Sequence, residues 1–188
     1  VRKIVNNPDI SNDFKEKLQA IDNRLNPKSV DLPKESYNVI KEMISESNPY
    51  AYNEKTGAAG VYQFTESVWN KLMNDQPNLG LTENGRVSKD TTQQQRAFEF
   101  ISKQSSEYLQ AAGLEVNAEN IYASYLMGPL KAIEVLSSKD DTKINTLVDD
   151  KILTDNEIDK NMTVAEFKDW LLIKSVSAEE RLTKKTNK

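Results

Sequence analysis

Two glutamates near the end of a helical segment are the residues best placed for acid–base chemistry. Glu42 and Glu46 are four residues apart, which puts both on one face of a helix. A loop with the small residues Gly57-Ala58-Ala59-Gly60 and then Gln63 follow them. The chain has no histidine and no cysteine, which excludes a Ser-His-Asp triad, a His-assisted cysteine and ordinary zinc sites. A glutamate in an apolar pocket is then the simplest general acid, because desolvation raises its pKa toward neutrality.

The composition narrows the class of protein. The 188 residues are 37% hydrophobic and 29% charged, which is typical of one globular domain with appendages. A net charge of -4 argues against a nucleic-acid partner, which usually needs a basic surface. No apolar run approaches the ~18 residues that span a bilayer, and no signal peptide is visible behind Val1. We expect no metal and no cofactor.

The apolar spacing predicts an all-α fold, with flanking helices around a central domain. Asn26-Pro27, Asn48-Pro49 and Gly128-Pro129 mark helix ends. The helices are expected at about 11–25, 33–46, 65–74, 89–112, 118–127, 130–138 and 163–173.

Three units follow from this pattern. Residues 1–33 form an N-terminal helix and linker, 34–138 the central domain, and 139–188 an acidic connector and C-terminal helix. The acidic run at 149–159 lacks the spacing and central glycine of an EF-hand, so we interpret it as a solvated, partly ordered connector. Lys184 begins an expected frayed tail.

Three short motifs occur in a fixed order. They are Glu46-Ser47-Asn48-Pro49-Tyr50-Ala51-Tyr52-Asn53, Gly57-Ala58-Ala59-Gly60-Val61-Tyr62-Gln63-Phe64, and Tyr122-Ala123-Ser124-Tyr125-Leu126-Met127-Gly128-Pro129. Together they resemble the lytic transglycosylase domain of the goose-type lysozyme superfamily, in the variant carried by phage virion proteins. The resemblance covers about residues 35–137 and implies a lysozyme-like helical fold.

The resemblance assigns roles to several side chains. It implies that one glutamate protonates the leaving oxygen of the MurNAc–GlcNAc bond and then deprotonates the C6 hydroxyl, which gives a 1,6-anhydro product. Tyr125 is the implied catalytic hydroxyl. The expected substrate-binding residues, which alternatively serve as caps or core, are Ser47, Tyr62, Gln63, Phe64 and Tyr122.

One departure from the family pattern concerns the acid itself. The family glutamate usually lies four residues before the asparagine of Asn-Pro, and here that register falls on Ile44. A shortened turn would make Glu46 the acid, and an extended helix would make it Glu42. In the third alternative the glutamate is lost and the domain is inactive.

Two functions from different classes follow. The first is a peptidoglycan lytic transglycosylase in a phage virion, opening the cell wall locally for DNA entry and acting in the bacterial periplasm or wall. The second is a catalytically inactive lysozyme-like module with a structural or glycan-binding role in a virion assembly. The implied partners are peptidoglycan glycan strands, with other virion proteins or the rest of a longer chain as further candidates.

Overall fold

The computed structural model describes residues 32–187. Most of them are helical, which confirms the predicted all-α class. The predicted helix at 11–25 lies outside the described residues. The helices are α1 Lys34–Ser45, α2 Glu66–Asp75, α3 Thr92–Ala111, α4 Ala118–Met127, α5 Pro129–Ser137, α6 Asp150–Asp155 and α7 Val164–Thr186. None of the helices within 32–187 is long and apolar enough to cross a membrane.

Helix α4 is the centre of the fold. It packs against α1, α3, α5 and α7, and its buried residues point to more than one side of the helix. Small side chains such as Ala123 and Ser124 let the neighbouring helices approach closely. A helix that is apolar over most of its surface is stable only when it is enclosed in this way.

Local signals set the helix boundaries as the sequence predicts. Gly128 adopts φ +82° and Pro129 opens α5, so the chain turns sharply between α4 and α5. Thr163 and Glu166 form the predicted capping box at the start of α7. In each case side-chain and backbone chemistry within a few residues decides where the helix begins.

The segment between α5 and α7 is more ordered than predicted. It contains a short 3-10 helix, Ile144–Thr146, followed by α6. Four apolar residues inside the acidic sequence are buried in the core, namely Ile144, Val148, Leu153 and Ile158. Because these side chains leave water together, the segment is a packed part of the molecule and the expectation of a partly ordered connector was wrong.

Helix α7 extends beyond its predicted end at Ile173 and reaches Thr186. Leu171 and Ala178 are buried along it, so the helix continues to pack on the central domain. Near its end, Arg181 and Lys185 both pair with Glu42 of α1. These ion pairs hold the last turns in place where the sequence favoured a frayed tail.

Candidate functional site: a cleft beside the glycine loop

The loop between α1 and α2 forms one rim of the site. Tyr52–Asn53 (β1) and Ala58–Ala59 (β2) pair as a short antiparallel hairpin. Arg86 fastens the loop, since its guanidinium donates to the carbonyl oxygens of Gly57 at 2.9 Å and Phe64 at 3.2 Å. This bracing makes the loop a fixed wall for whatever lies beside it.

Position 60 has no room for a side chain. Gly60 adopts φ +78°, and a Cβ placed there would lie 2.2 Å from Oε1 of Gln94. Gln94 is itself completely buried and donates to the Ser88 carbonyl oxygen at 3.3 Å. Glycine is therefore needed both for the backbone conformation and for the close approach of α3.

The loop, α3 and α4 enclose a cleft of about 560 Å³. Its walls include Ile44 at the end of α1, Gln63 and Phe64 of the loop, and Tyr122 and Tyr125 of α4. All three motifs identified in the sequence therefore contribute residues to one concave site. Such a site, mainly apolar with a few convergent polar groups, is typical of ligand-binding pockets.

A shallower depression of about 710 Å³ continues the cleft along the loop; we call it the outer groove. The two share wall residues, among them Ile44, Asn53 and Gln63. Tyr50 and Tyr52 line the outer groove with 65% and 63% of their surfaces exposed. The cleft and the outer groove are therefore contiguous, and the outer groove carries exposed aromatic rings.

Ile44 occupies the position in the cleft where the resemblance places an acid. It lines both the cleft and the outer groove, close to the end of α1. The neighbouring Ser45 faces the loop instead, and its Oγ donates to the Val61 carbonyl oxygen at 2.8 Å. An aliphatic side chain at this point contributes apolar surface and no proton.

Glu42 lies inside an ion cluster and lines neither the cleft nor the outer groove. Its side chain is fully buried, and its Oε1 and Oε2 accept from Arg181 at 3.0 Å and Lys185 at 2.8 Å. Ser47 donates to Oε2 at 2.7 Å. Burial alone would raise the pKa of Glu42, but hydrogen bonds from Lys185, Ser47 and Arg181 outweigh burial and lower it. A carboxylate held ionised in this way is a poor proton donor at neutral pH.

Glu46 caps α1 and is exposed. Its backbone is left-handed, with φ +54°, and its carbonyl oxygen accepts from Lys185 at 3.1 Å. Its side chain lines neither the cleft nor the outer groove. Ser47, also left-handed, contacts Glu42 and not Glu46. The structure therefore does not bring Glu42 or Glu46 beside Gln63 and Tyr125.

Gln63 and Tyr125 meet at the cleft. Gln63 Nε2 donates to the carbonyl oxygens of Ala51 at 3.0 Å and Gly60 at 2.9 Å, while its Oε1 accepts from none of the described residues. The Tyr125 hydroxyl donates to the Tyr62 carbonyl oxygen, and burial raises the pKa of Tyr125. Gln63 thus offers an acceptor to a ligand, whereas the Tyr125 proton is used to fix the loop.

The other predicted binding residues divide between core and cleft. Tyr62 has no exposed surface, stacks on Phe98 at 4.2 Å between ring centroids and donates to Gln95. Phe64 is buried but closes one side of the cleft. Tyr122 is only 6% exposed and also lines the cleft. The Tyr62 ring is therefore placed to organise the core, and the other two are placed near a ligand.

Three charged residues of the cleft were missed by sequence reasoning. Asp155 and Glu157, in the acidic run interpreted as a connector, line both the cleft and the outer groove. Lys174 of α7 lines the cleft, and its ammonium lies 4.8 Å from the centroid of the Trp170 ring. No short motif marks these positions, because distant segments reach the cleft only after the chain folds.

The donor groups of residues 32–187 include no cluster of three or more Asp or Glu side chains suited to a metal ion. The polar groups that line the cleft are carboxylates, an ammonium group, amides and hydroxyls. No protein-family model matches the chain, and no curated protein is significantly similar to it.

Proposed function

We propose that this protein is a lysozyme-like module that binds the glycan strands of peptidoglycan without cutting them. The observation that carries the proposal is the cleft itself. It is lined by the motif residues Gln63, Tyr122 and Tyr125, but Ile44 occupies the position at which the family pattern has its catalytic glutamate. Glycosidic cleavage needs a carboxylic acid beside the leaving oxygen, and Glu42 and Glu46 are both outside the cleft.

The outer groove supports a saccharide ligand. Tyr50 and Tyr52 present rings that a sugar face can cover, and Asn48 and Asn53 supply amides beside them. The Lys89 ammonium lies 5.3 Å from the Tyr50 ring centroid, whereas no cation from residues 32–187 lies over the Tyr52 ring. A groove that combines exposed aromatic rings with amide groups suits a sugar chain.

Lytic transglycosylase activity is the second candidate, and the carboxylates on the far wall of the cleft favour it. Glu157 lines the cleft with Gln63 and Tyr125, so an acid from this wall could replace one from α1. In this case Glu157 would protonate the leaving oxygen in place of Glu46. The phage-virion setting, with action in the periplasm or wall, belongs to both candidates and depends on the motif resemblance alone.

One experiment separates the two functions. The full chain is incubated with purified peptidoglycan, and bound protein is measured by co-sedimentation while soluble products are analysed by mass spectrometry. We expect binding with no released muropeptides. Anhydro-muropeptides would establish the transglycosylase, reducing-end products would indicate a hydrolase, and the absence of both binding and products would contradict both candidates.

A matched pair of variants tests the location of binding. Tyr52→Ser should weaken binding to soluble, peptide-free glycan strands about tenfold, since a stacking surface worth about 1.4 kcal/mol is lost. Tyr108→Ser is the control, because Tyr108 is 48% exposed on α3 but lines neither the cleft nor the outer groove. Equal affinities of the two variants would place the glycan elsewhere.

A further inference from the structure

Opposite charges face the same cleft without neutralising each other. Lys174 of α7 and Glu157, which follows α6, both line the cleft, but they form no ion pair within 4.0 Å. The two charges still interact: burial lowers the pKa of Lys174, and the nearby Glu157 carboxylate opposes that effect. The space between an ammonium and a carboxylate can accept a ligand group that complements both.

Tyr122 supplies a third polar group beside the cleft. Only 6% of its surface is exposed, its ring stacks on that of Trp170 at 6.2 Å between centroids, and it lines the cleft. Its hydroxyl forms no hydrogen bond with any of the described residues. Water still reaches this hydroxyl, so a ligand group in the cleft can take the place of water as its hydrogen-bond partner.

The backbone of Glu157 is held in an unusual conformation, and its side chain is exposed. Its φ is +55°, a left-handed conformation that costs a residue with a side chain about 1–2 kcal/mol. The burial of Ile158 directly after it holds the chain there. The neighbouring Asp155 is paired with Lys151, which leaves Glu157 as the free carboxylate of this wall.

From these three side chains we propose that the cleft has a subsite for a zwitterionic group, with Lys174 and Tyr122 receiving a carboxylate and Glu157 receiving an ammonium. Within the proposed function, on which this inference rests, peptidoglycan offers such a group in its peptide stems. A stem that ends in a diamino acid carries a free ammonium and free carboxylates. The protein would then distinguish glycan strands that carry stems from strands that have lost them.

The test compares two ligands on the full chain. Isothermal titration is carried out with soluble glycan strands bearing peptide stems and with the same strands after amidase removal of the stems. We expect stem-bearing strands to bind about fivefold more tightly, the range of one or two partly exposed ion pairs. Equal affinity for the two ligands would overturn the inference while leaving glycan binding intact.

Variants assign the difference to the subsite. Lys174→Met keeps an apolar stem over Trp170 but removes the charge, and Glu157→Gln keeps the shape of its side chain; each should reduce the preference for stems to less than twofold. Lys168→Met is the matched control, because Lys168 lies on the same helix, pairs with Asp140 and does not line the cleft. A loss of preference in the control as well would contradict the assignment.

A third ligand makes failure of the two proposals distinguishable. The free tripeptide L-Ala-γ-D-Glu-diaminopimelate contains the zwitterion and no sugar. Tripeptide binding that Lys174→Met abolishes supports the subsite even if stripped strands do not bind, an outcome that would reject the glycan proposal alone. The subsite proposal is overturned if Lys174→Met binds the tripeptide as tightly as the wild type does. It is also overturned if the wild type neither binds the tripeptide nor prefers strands that carry stems.

Discussion

At the scale of single residues, the cleft has an aliphatic side chain at the position where the motif resemblance implies an acid. Ile44 stands on the wall shared by the cleft and the outer groove, with Gln63 and Tyr125 on neighbouring walls. The carboxylate of Glu42, two residues earlier, points into the ion cluster with α7 instead. Side chains two residues apart on a helix point about 200° away from each other, so Glu42 and Ile44 lie on different faces of α1.

Ile44→Glu should introduce glycan-cleaving activity. The new carboxylate would lie in a mostly apolar cleft, where desolvation raises its pKa and makes it a usable acid. We expect release of anhydro-muropeptides at least about tenfold above Ile44→Gln, since a positioned acid typically contributes ~10²–10⁴-fold. Mass spectrometry of digested peptidoglycan measures both variants, and equal product from the two would show that the cleft does not hold a sugar in a reactive position.

A second residue-scale prediction concerns the glycine loop. Gly60→Ala forces alanine into a left-handed backbone conformation and places its Cβ 2.2 Å from the buried Gln94 amide. We expect this overpacking to lower the free energy of unfolding by about 1–3 kcal/mol beyond the loss caused by the backbone conformation. Gly57→Ala is the matched control: its φ is +70°, but nothing lies within 4 Å of its added Cβ, and only about 1–2 kcal/mol is expected. Urea unfolding measures both, and equal losses would contradict the close approach of α3.

At the scale of elements, the ion cluster of Glu42 joins the ends of α1 and α7. A fully buried carboxylate receives hydrogen bonds from Arg181 and Lys185, whose side chains remain 37% and 53% exposed, and from Ser47. Since the two cations are partly solvated, most of the interaction depends on keeping the carboxylate charged and satisfied. Glu42 thus has a clear structural function, which is to hold α7 against the central domain.

Glu42→Gln should destabilise the fold at neutral pH by about 1.5–3 kcal/mol, the usual value of hydrogen bonds to a charged group. The amide keeps the shape of the side chain but loses the negative charge, and an NH₂ donor replaces one of the two oxygens that accept hydrogen bonds here. Glu46→Gln is the control, because the Glu46 side chain is exposed, and it should change the free energy of unfolding by less than about 0.5 kcal/mol. A larger loss of unfolding free energy in Glu46→Gln than in Glu42→Gln would show that Glu46 is the stabilising residue.

The same cluster gives a pH dependence. The folded-state pKa of Glu42 is lowered, so its contribution is complete above the ordinary glutamate pKa of about 4.3 and is lost as pH falls through the folded-state value. The difference in unfolding free energy between the wild type and Glu42→Gln should therefore narrow progressively below about pH 4.3. Urea titrations at several pH values measure it, and a difference that stays constant to pH 3 would contradict the lowered pKa.

At the scale of the whole molecule, residues 139–187 complete the core of residues 34–138. Val164, Phe167 and Leu171 are almost fully buried, and α7 packs on α1, α4 and α5. Trp170 stacks on Phe167 of the same helix and on Tyr122 of α4. The predicted boundary at 138/139 therefore separates sequence patterns, while the packing crosses it.

A chain shortened to residues 1–138 should lose cooperative folding. It would expose the surfaces of α1 and α4 that α7 covers, and it would open the cleft wall that carries Glu157 and Lys174. We expect loss of the near-UV circular dichroism signal and of a sharp thermal transition. A chain ending at residue 183 is the control and should fold with reduced stability, since it loses only Lys185 from the ion cluster. A cooperative 1–138 fragment would contradict the continuous core.

The sequence by itself determined the all-α class, most helix boundaries and the loop motifs. These features depend on short-range chemistry: apolar spacing, the Thr163 cap, the Gly128-Pro129 break and the glycines of the loop. It also showed that the glutamate register falls on Ile44, and it correctly named Gln63, Tyr122 and Tyr125 as residues that could share one place in the fold.

Only the tertiary structure decided which side chains reach the cleft. Glu42 and Glu46 share a helix face by spacing, but Arg181 and Lys185, 139 and 143 residues further along the chain, draw the carboxylate of Glu42 away from it. Glu157 enters the cleft because four apolar residues anchor an acidic segment whose composition alone predicts a solvated connector, and Lys174 enters it because α7 packs on the central domain. Contacts between distant segments depend on how the whole core closes, and no local pattern encodes them.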